Sequence, residues 1–182
     1  VLVGNPNSGK SSLFNFLTGL NQKIGNFPGV TVDKRAGTTA LPDNSLVEIV
    51  DLPGIYSIYP RSLDEKIVAQ VLLDHHSPHA PDQVVVVVDG TSLKRGLLLA
   101  TQVIDLGLPV VLAMNMMDLA ARAGISYDFV KLSAALGVPV VGINARSGAG
   151  IDELKKQLTS KAAVSHKHVF SIPTEATAPV AE

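Results

Sequence analysis

The chain has 182 residues, 46% of them apolar, the size and composition of one domain with a substantial core. Fifteen Lys and Arg against sixteen Asp and Glu leave a formal charge of −1, which excludes the basic footprint of a non-specific nucleic-acid binder; zero Cys excludes disulfides and thiolate metal sites. Mean hydropathy is high, at +0.29, yet the longest strongly apolar run, Val84–Val88, falls far short of the roughly 18–20 residues that cross a bilayer.

The chain opens at Val1, already inside an apolar run, and reads as a piece of a longer one with its N-terminal edge trimmed. Val1–Val3 predicts a first buried strand, and a Gly-rich turn then leads into a helix over Lys10–Leu17. Asn26, Pro28 and Gly29 break the rhythm of Asn21–Thr39, which reads as a long loop feeding an edge strand near Ala36–Ala40. Pro42-Asp43-Asn44 turns the chain into a strand at Leu46–Val50. Ser62-Leu63-Asp64-Glu65 has capping-box spacing for a helix through about Leu73. Val84–Val88 is the next strand, Leu93–Leu106 the next helix, stopped by Gly107, and Val110–Met114 the strand after it. Ser126 is the expected cap of a fourth helix ending before Gly137; Val138–Ile143 is a strand, and a fifth helix runs from about Ile151 to Leu158. Near-continuous apolar strands alternating with helices predict an α/β fold, a mostly parallel sheet with helices on both faces and right-handed crossovers. Residues 1–160 form this domain, and from Lys161 the pattern dissolves into a linker or flexible tail over residues 161–182.

Gly4-Asn5-Pro6-Asn7-Ser8-Gly9-Lys10-Ser11 fits G-x-x-x-x-G-K-[ST] between an apolar strand and an amphipathic helix. In that setting backbone N–H groups converge on phosphate oxygens at the helix N-terminus, with Ser12 completing the cradle. Lys10 is expected to reach the β and γ phosphates, and the Ser11 hydroxyl to ligate Mg²⁺. Asp51-Leu52-Pro53-Gly54 follows a strand: Asp51 is placed to hold Mg²⁺ and Gly54 to offer its N–H to a γ-phosphate. Thr31, in the long loop, can bind Mg²⁺ by its hydroxyl and the γ-phosphate by its N–H. Residues 25–34 and 54–62 would then form a two-state switch.

Asn115-Met116-Met117-Asp118 ends a strand and matches N-x-x-D. An ionised Asp118 offers two acceptor oxygens to guanine N1–H and N2–H₂, a donor pair that adenine lacks. This favours GTP over ATP and argues against a P-loop kinase or ATPase. Asn144-Ala145-Arg146, after the last strand, is placed to close over the base through backbone N–H groups. His75-His76-Ser77-Pro78-His79, and His166 and His168, suit solvated segments better than a metal site. Arg35 is a candidate arginine finger in cis, though a basic residue after an exposed loop is usually solvated.

These motifs, in this order, resemble those of P-loop GTPases. Residues 1 to about 160 are similar to the N-terminal G domain of the bacterial ferrous-iron transport protein B family, above all at Gly25-Asn26-Phe27-Pro28-Gly29-Val30-Thr31-Val32 and Asp51-Leu52-Pro53-Gly54-Ile55-Tyr56. The resemblance implies a three-layer sandwich with a mixed six-stranded sheet, one strand antiparallel, and five helices. It further implies a slow GTPase that binds GTP and GDP with Mg²⁺ on the cytoplasmic face of the inner membrane. Its nucleotide state would regulate iron uptake through a helical domain and a membrane transporter beyond residue 182, in a protein that allows homo-oligomers. Asn7 matches the P-loop Asn that helps bind K⁺ in this family, where the cation stabilises transition-state charge. Ile55 stands where many small GTPases have a water-orienting Gln, so the intrinsic rate should be low. Asn144 departs from the Ser or Thr common before Ala in the base-closing loop, and the tail does not read as the helical domain. An RNA- or ribosome-associated GTPase is the alternative; the basic appendage that would mark one is not found in these residues.

Overall fold

A strand buried at every position needs cover on both faces, and Val84–Val88 is buried throughout. In the computed structural model, which describes residues 1–19, 22–27, 33–74 and 80–160, that strand lies in the interior of a seven-stranded sheet. The strands are β1 (Leu2–Gly4), β2 (Gln22–Asn26), β3 (Asp33–Ala40), β4 (Leu46–Asp51), β5 (Val84–Asp89), β6 (Val110–Asn115) and β7 (Val140–Gly142). Their order is β2-β3-β4-β1-β5-β6-β7, and β3 alone runs against its neighbours. The helices among the described residues are α1 (Lys10–Thr18), α2 (Leu63–Leu73), α3 (Leu93–Asp105), α4 (Met117–Arg122), α5 (Phe129–Leu136) and α6 (Ile151–Thr159).

Alternation along the central strands divides the core in two. Val84, Val86 and Val88 of β5 face Ile67, Val68 and Leu72 of α2, Leu99 and Val103 of α3, and Leu136 of α5. Val85 and Val87 join Leu13, Phe14 and Leu17 of α1 and Ile151 and Leu154 of α6 on the opposite face. Each such side chain contributes about 1.5–3 kcal/mol by leaving water, so the layers hold the strand ends in register. The C-terminal ends of β1, β4, β5 and β6 lie on one rim, where open α/β sheets bind ligands.

The architecture is the expected P-loop α/β sandwich, with more elements than the periodicity showed. Six strands and five helices were expected; β2 and α4 make seven and six. Gln22–Asn26 is polar and mostly exposed, so nothing in its composition marks a strand; pairing with Asp33–Gly37 makes it one. In consequence the strand expected near Ala36–Ala40 begins at Asp33 and lies between β2 and β4 rather than at the edge. α4 has six residues, too few to display a period. Ser62 caps α2 as expected, accepting from Glu65 N–H, but the cap of α5 is Asp128 rather than Ser126, accepting from Lys131 N–H. Thr31, the three His of 75–79, His166, His168 and the 161–182 tail lie outside the described residues.

Candidate nucleotide-binding site

The turn between β1 and α1 is wound by two left-handed residues, Asn7 at φ 65° and Gly9 at φ 83°. Such alternation directs successive N–H groups into a concavity that suits an anion. Glycine is required at position 9 on two counts, since a Cβ there would also stand 2.1 Å from Asn115 Nδ2. α1 begins without a capping side chain and without an acid in its first turn, whereas α2 and α5 are each capped by their own Ser or Asp. The N-terminal N–H groups of α1, like those of α3, α4 and α6, meet no side-chain cap, and at α1 they are available to an anion. Asn5 and Ser8, both buried, carry side-chain polar atoms with no partner among the described residues, as expected of a loop whose polar groups are shaped around something other than protein.

Lys10 and Ser11 both turn to Asp51 at the end of β4. The Lys10 ammonium donates to one carboxylate oxygen, and the Ser11 hydroxyl donates to the other at 3.2 Å. These oxygens are the hard ligands that Mg²⁺ prefers. Lys10, Ser11, Asp51 and Gly54 line one cleft with Asp33, Arg35 and Asp64. Arg35 is exposed, opposite Asp51 in the β3–β4 register, so the geometry puts it at the rim of this cleft. Gly54 lies against the P-loop: a Cβ on it would stand 3.1–3.3 Å from Pro6. Ile55 N–H donates to Gly4 O at 3.1 Å, and the Ile55 side chain is 1% exposed. Ser12 is an exposed residue of the first turn of α1. A larger cavity of about 760 Å³, lined in part by Phe27, Val50, Ile67 and Val71, involves none of these phosphate-side groups.

Asn115, at the end of β6, connects the remaining parts. Its Nδ2 donates to Ser8 O at 3.0 Å and its Oδ1 accepts from Ala145 N–H at 2.9 Å, so one buried amide ties the P-loop to the loop after β7. Asn144 shapes that loop, its Oδ1 accepting from Arg146 N–H and Ser147 N–H at 3.0 Å each. Met116, at φ 61°, turns the chain into α4 and leaves Asp118 exposed in the first turn. Of the residues marked in the sequence, the structure brings Gly4, Asn5, Pro6, Asn7, Ser8, Gly9, Lys10, Ser11, Asp51, Gly54, Asn115 and Ala145 into one connected rim. Asp33 and Asp64 were not marked; Asp64 is the third residue of the capping-box string, and its nearness to Lys10 follows only from the fold.

The sequence model of the ferrous iron transport protein B family matches residues 1–158. The chain belongs to this family. It is 46% identical over 162 residues to the Fe(2+) transporter FeoB of Legionella pneumophila strain Paris, covering 87% of this chain and 21% of that protein. It therefore spans about a fifth of the length of that FeoB. Among solved structures, the cytosolic domain of L. pneumophila FeoB is similar at a TM-score of 0.88 and 43% identity, covering 96% of this chain and 68% of that one. The G domain of T. maritima FeoB gives 0.80 at 37% identity over 88% of this chain and 96% of that one. The cytosolic domain of T. maritima FeoB in its GMPPNP form gives 0.81 at 35% identity, covering 94% and 65%.

Proposed function

We propose that the chain is the GTP-binding and GTP-hydrolysing domain of a membrane ferrous-iron transporter, acting on the cytoplasmic side to regulate iron uptake. The observation that carries the nucleotide reading is Asn115: a single buried side chain joins the loop after β7 to a P-loop at the uncapped N-terminus of α1. The similarity to a FeoB form bound to GMPPNP supports the same ligand class.

In this reading the N–H groups of residues 7–12 receive the phosphates, Lys10 leaves Asp51 for the β and γ phosphates, and Asp118 reads the guanine edge. The loop of Asn144, Ala145 and Arg146 covers the base. Ser11 and Asp51 would hold Mg²⁺, with Thr31 as a further ligand from the switch side, and a bound ion would neutralise charge on the phosphates. Asn7 would hold K⁺, which would add positive charge at the phosphates. Gly54 N–H serves the γ-phosphate. Ile55 offers no side-chain hydrogen bond and spends its N–H on Gly4 O, so this position does not orient the attacking water, and hydrolysis is slow without further help. The rest of the transporter would supply the regulated partner.

Single-turnover GTP hydrolysis in K⁺ against Na⁺ at equal ionic strength tests the mechanism. The expected result is faster turnover in K⁺ that disappears in Asn7→Ala; equal rates would leave Asn7 a shaping residue of the loop. Base choice is tested by Asp118→Asn, which should exchange preference for guanine for preference for xanthine, whose 2-oxo group accepts where guanine donates. A variant that still prefers GDP would remove Asp118 from the reading.

A further inference from the structure

The segment between Gly54 and α2, whose Ile55 is buried and whose Ile58 packs against the core, donates two hydrogen bonds to one side chain of α3. Gln102 Oε1 accepts from the Ser57 hydroxyl at 3.1 Å and from Ile58 N–H at 3.1 Å. A backbone N–H can only donate, so Ile58 dictates which end of the carboxamide faces it, and the two donors use both lone pairs of the oxygen. Ser57 Oγ in turn accepts from Tyr59 N–H at 3.2 Å. Residues 57–59 therefore share one anchor.

The two partners differ in rigidity. α3 is a core element: Leu99, Ala100 and Val103 are fully buried, and the helix lies so close to β5 that a Cβ on Gly96 would stand 2.7 Å from Val88. Residues 52–62 form neither helix nor strand. They are tied at the start by Leu52 N–H to Leu2 O and Ile55 N–H to Gly4 O, and at the end by Arg61 N–H to the Glu65 carboxylate. Among the described residues, the hydrogen bonds that join residues 56–60 to another element all end on Gln102.

We propose that Gln102 is a positioning residue, a latch from α3 that holds residues 57–58 and thereby keeps Gly54 seated on Pro6 at the border of the phosphate cleft. The inference rests on the reading of that cleft as a GTP site. Because Gly54 N–H serves the γ-phosphate alone, the latch favours triphosphate over diphosphate and speeds hydrolysis, and it leaves GDP affinity unchanged. Its chemistry is that of an acceptor: an oxygen is needed at the end of the side chain, and the amide nitrogen is not.

Gln102→Leu removes the acceptor at similar size, whereas Gln102→Glu keeps an oxygen for both donors. Amide exchange of the 182-residue chain, without nucleotide and with GDP, reads Ile58 directly. The expected result is about tenfold faster exchange at Ile58 in Gln102→Leu and near wild-type protection in Gln102→Glu. In the same preparations GMPPNP should bind about fivefold more weakly to Gln102→Leu, with GDP unchanged and Gln102→Glu again close to wild type. Ser57→Ala, which leaves the packing of α3 untouched, should accelerate Ile58 exchange in the same direction by a smaller factor. Equal Ile58 exchange in wild type and Gln102→Leu overturns the latch, and so does a Gln102→Glu variant that behaves like Gln102→Leu. Loss of GDP and GMPPNP affinity by the same factor overturns the link to Gly54. If the wild-type chain binds neither nucleotide, the GTP reading fails instead, and Ile58 exchange without nucleotide still decides the latch.

Discussion

The two halves of the nucleotide rim are held by different means. On the base side, Asn115 is buried at the end of an interior strand and bonds two backbone groups, from the P-loop and from the loop after β7. On the other side, Gly54 lies in the irregular run 52–62, retained by the buried Leu52 and Ile55, by a few N–H donors and by one partly exposed glutamine. Breaking the first leaves buried polar groups unpaired; breaking the second returns its groups largely to water. The proposed reading, in which the site holds a base while responding to a terminal phosphate, calls for this asymmetry.

The largest test of that contrast is Asn115→Ala. With Ser8 O and Ala145 N–H both left unpaired, the chain should lose about 2–3 kcal/mol of stability and GDP affinity about a hundredfold, measurable by denaturant unfolding and calorimetry. Gly54→Ala is the counterpart on the other half. Its Cβ would press on Pro6, so GMPPNP affinity should drop about tenfold with GDP affinity within twofold of wild type; an equal drop for both would show the halves to be one unit. Ser62→Ala should act more weakly still. Loss of the α2 cap costs about 1 kcal/mol locally, read as faster exchange at Glu65 N–H with GDP affinity unchanged.

The smallest expected effect lies at α5, near the base side. Asp128 accepts from Lys131 N–H, and that bond first, then the Lys131 side chain, lowers its carboxyl below the usual 3.8. A depressed folded-state value means that the contribution is complete above the unfolded value and is lost as pH falls through the folded one. Melting from pH 6 down to pH 3 should show wild type and Asp128→Asn converging only at the acid end; a constant difference would assign the cap to shape rather than charge.

Much of the rim was legible because each part is local: Gly9-Lys10-Ser11, Asp51 and Asn115 stand where an apolar strand ends, and both the strands and the motifs are visible in the chain. The elements that escaped are those made by their neighbours. β2 has no apolar alternation and exists through its ladder to β3, and six-residue α4 shows no period. Ser126 was the expected cap, and the backbone places the cap two residues later, at Asp128. Gln102 carries no local signal, since its partners lie 45 and 44 residues away and meet it only when α3 packs on the sheet.

The long reach of Asn115 also orders events during synthesis. Its partners are 107 residues before it and 30 after it. A nascent chain emerging from its N-terminus presents the P-loop first, but the tie from Asn115 to the loop after β7 forms only after Ala145 has left the exit tunnel. Until Asn115 emerges Ser8 has its carbonyl and no donor, and until Ala145 follows the Asn115 Oδ1 has no N–H to accept from. Nucleotide can therefore stabilise this domain only as a finished product, and contributes little to guiding the earlier strands into place.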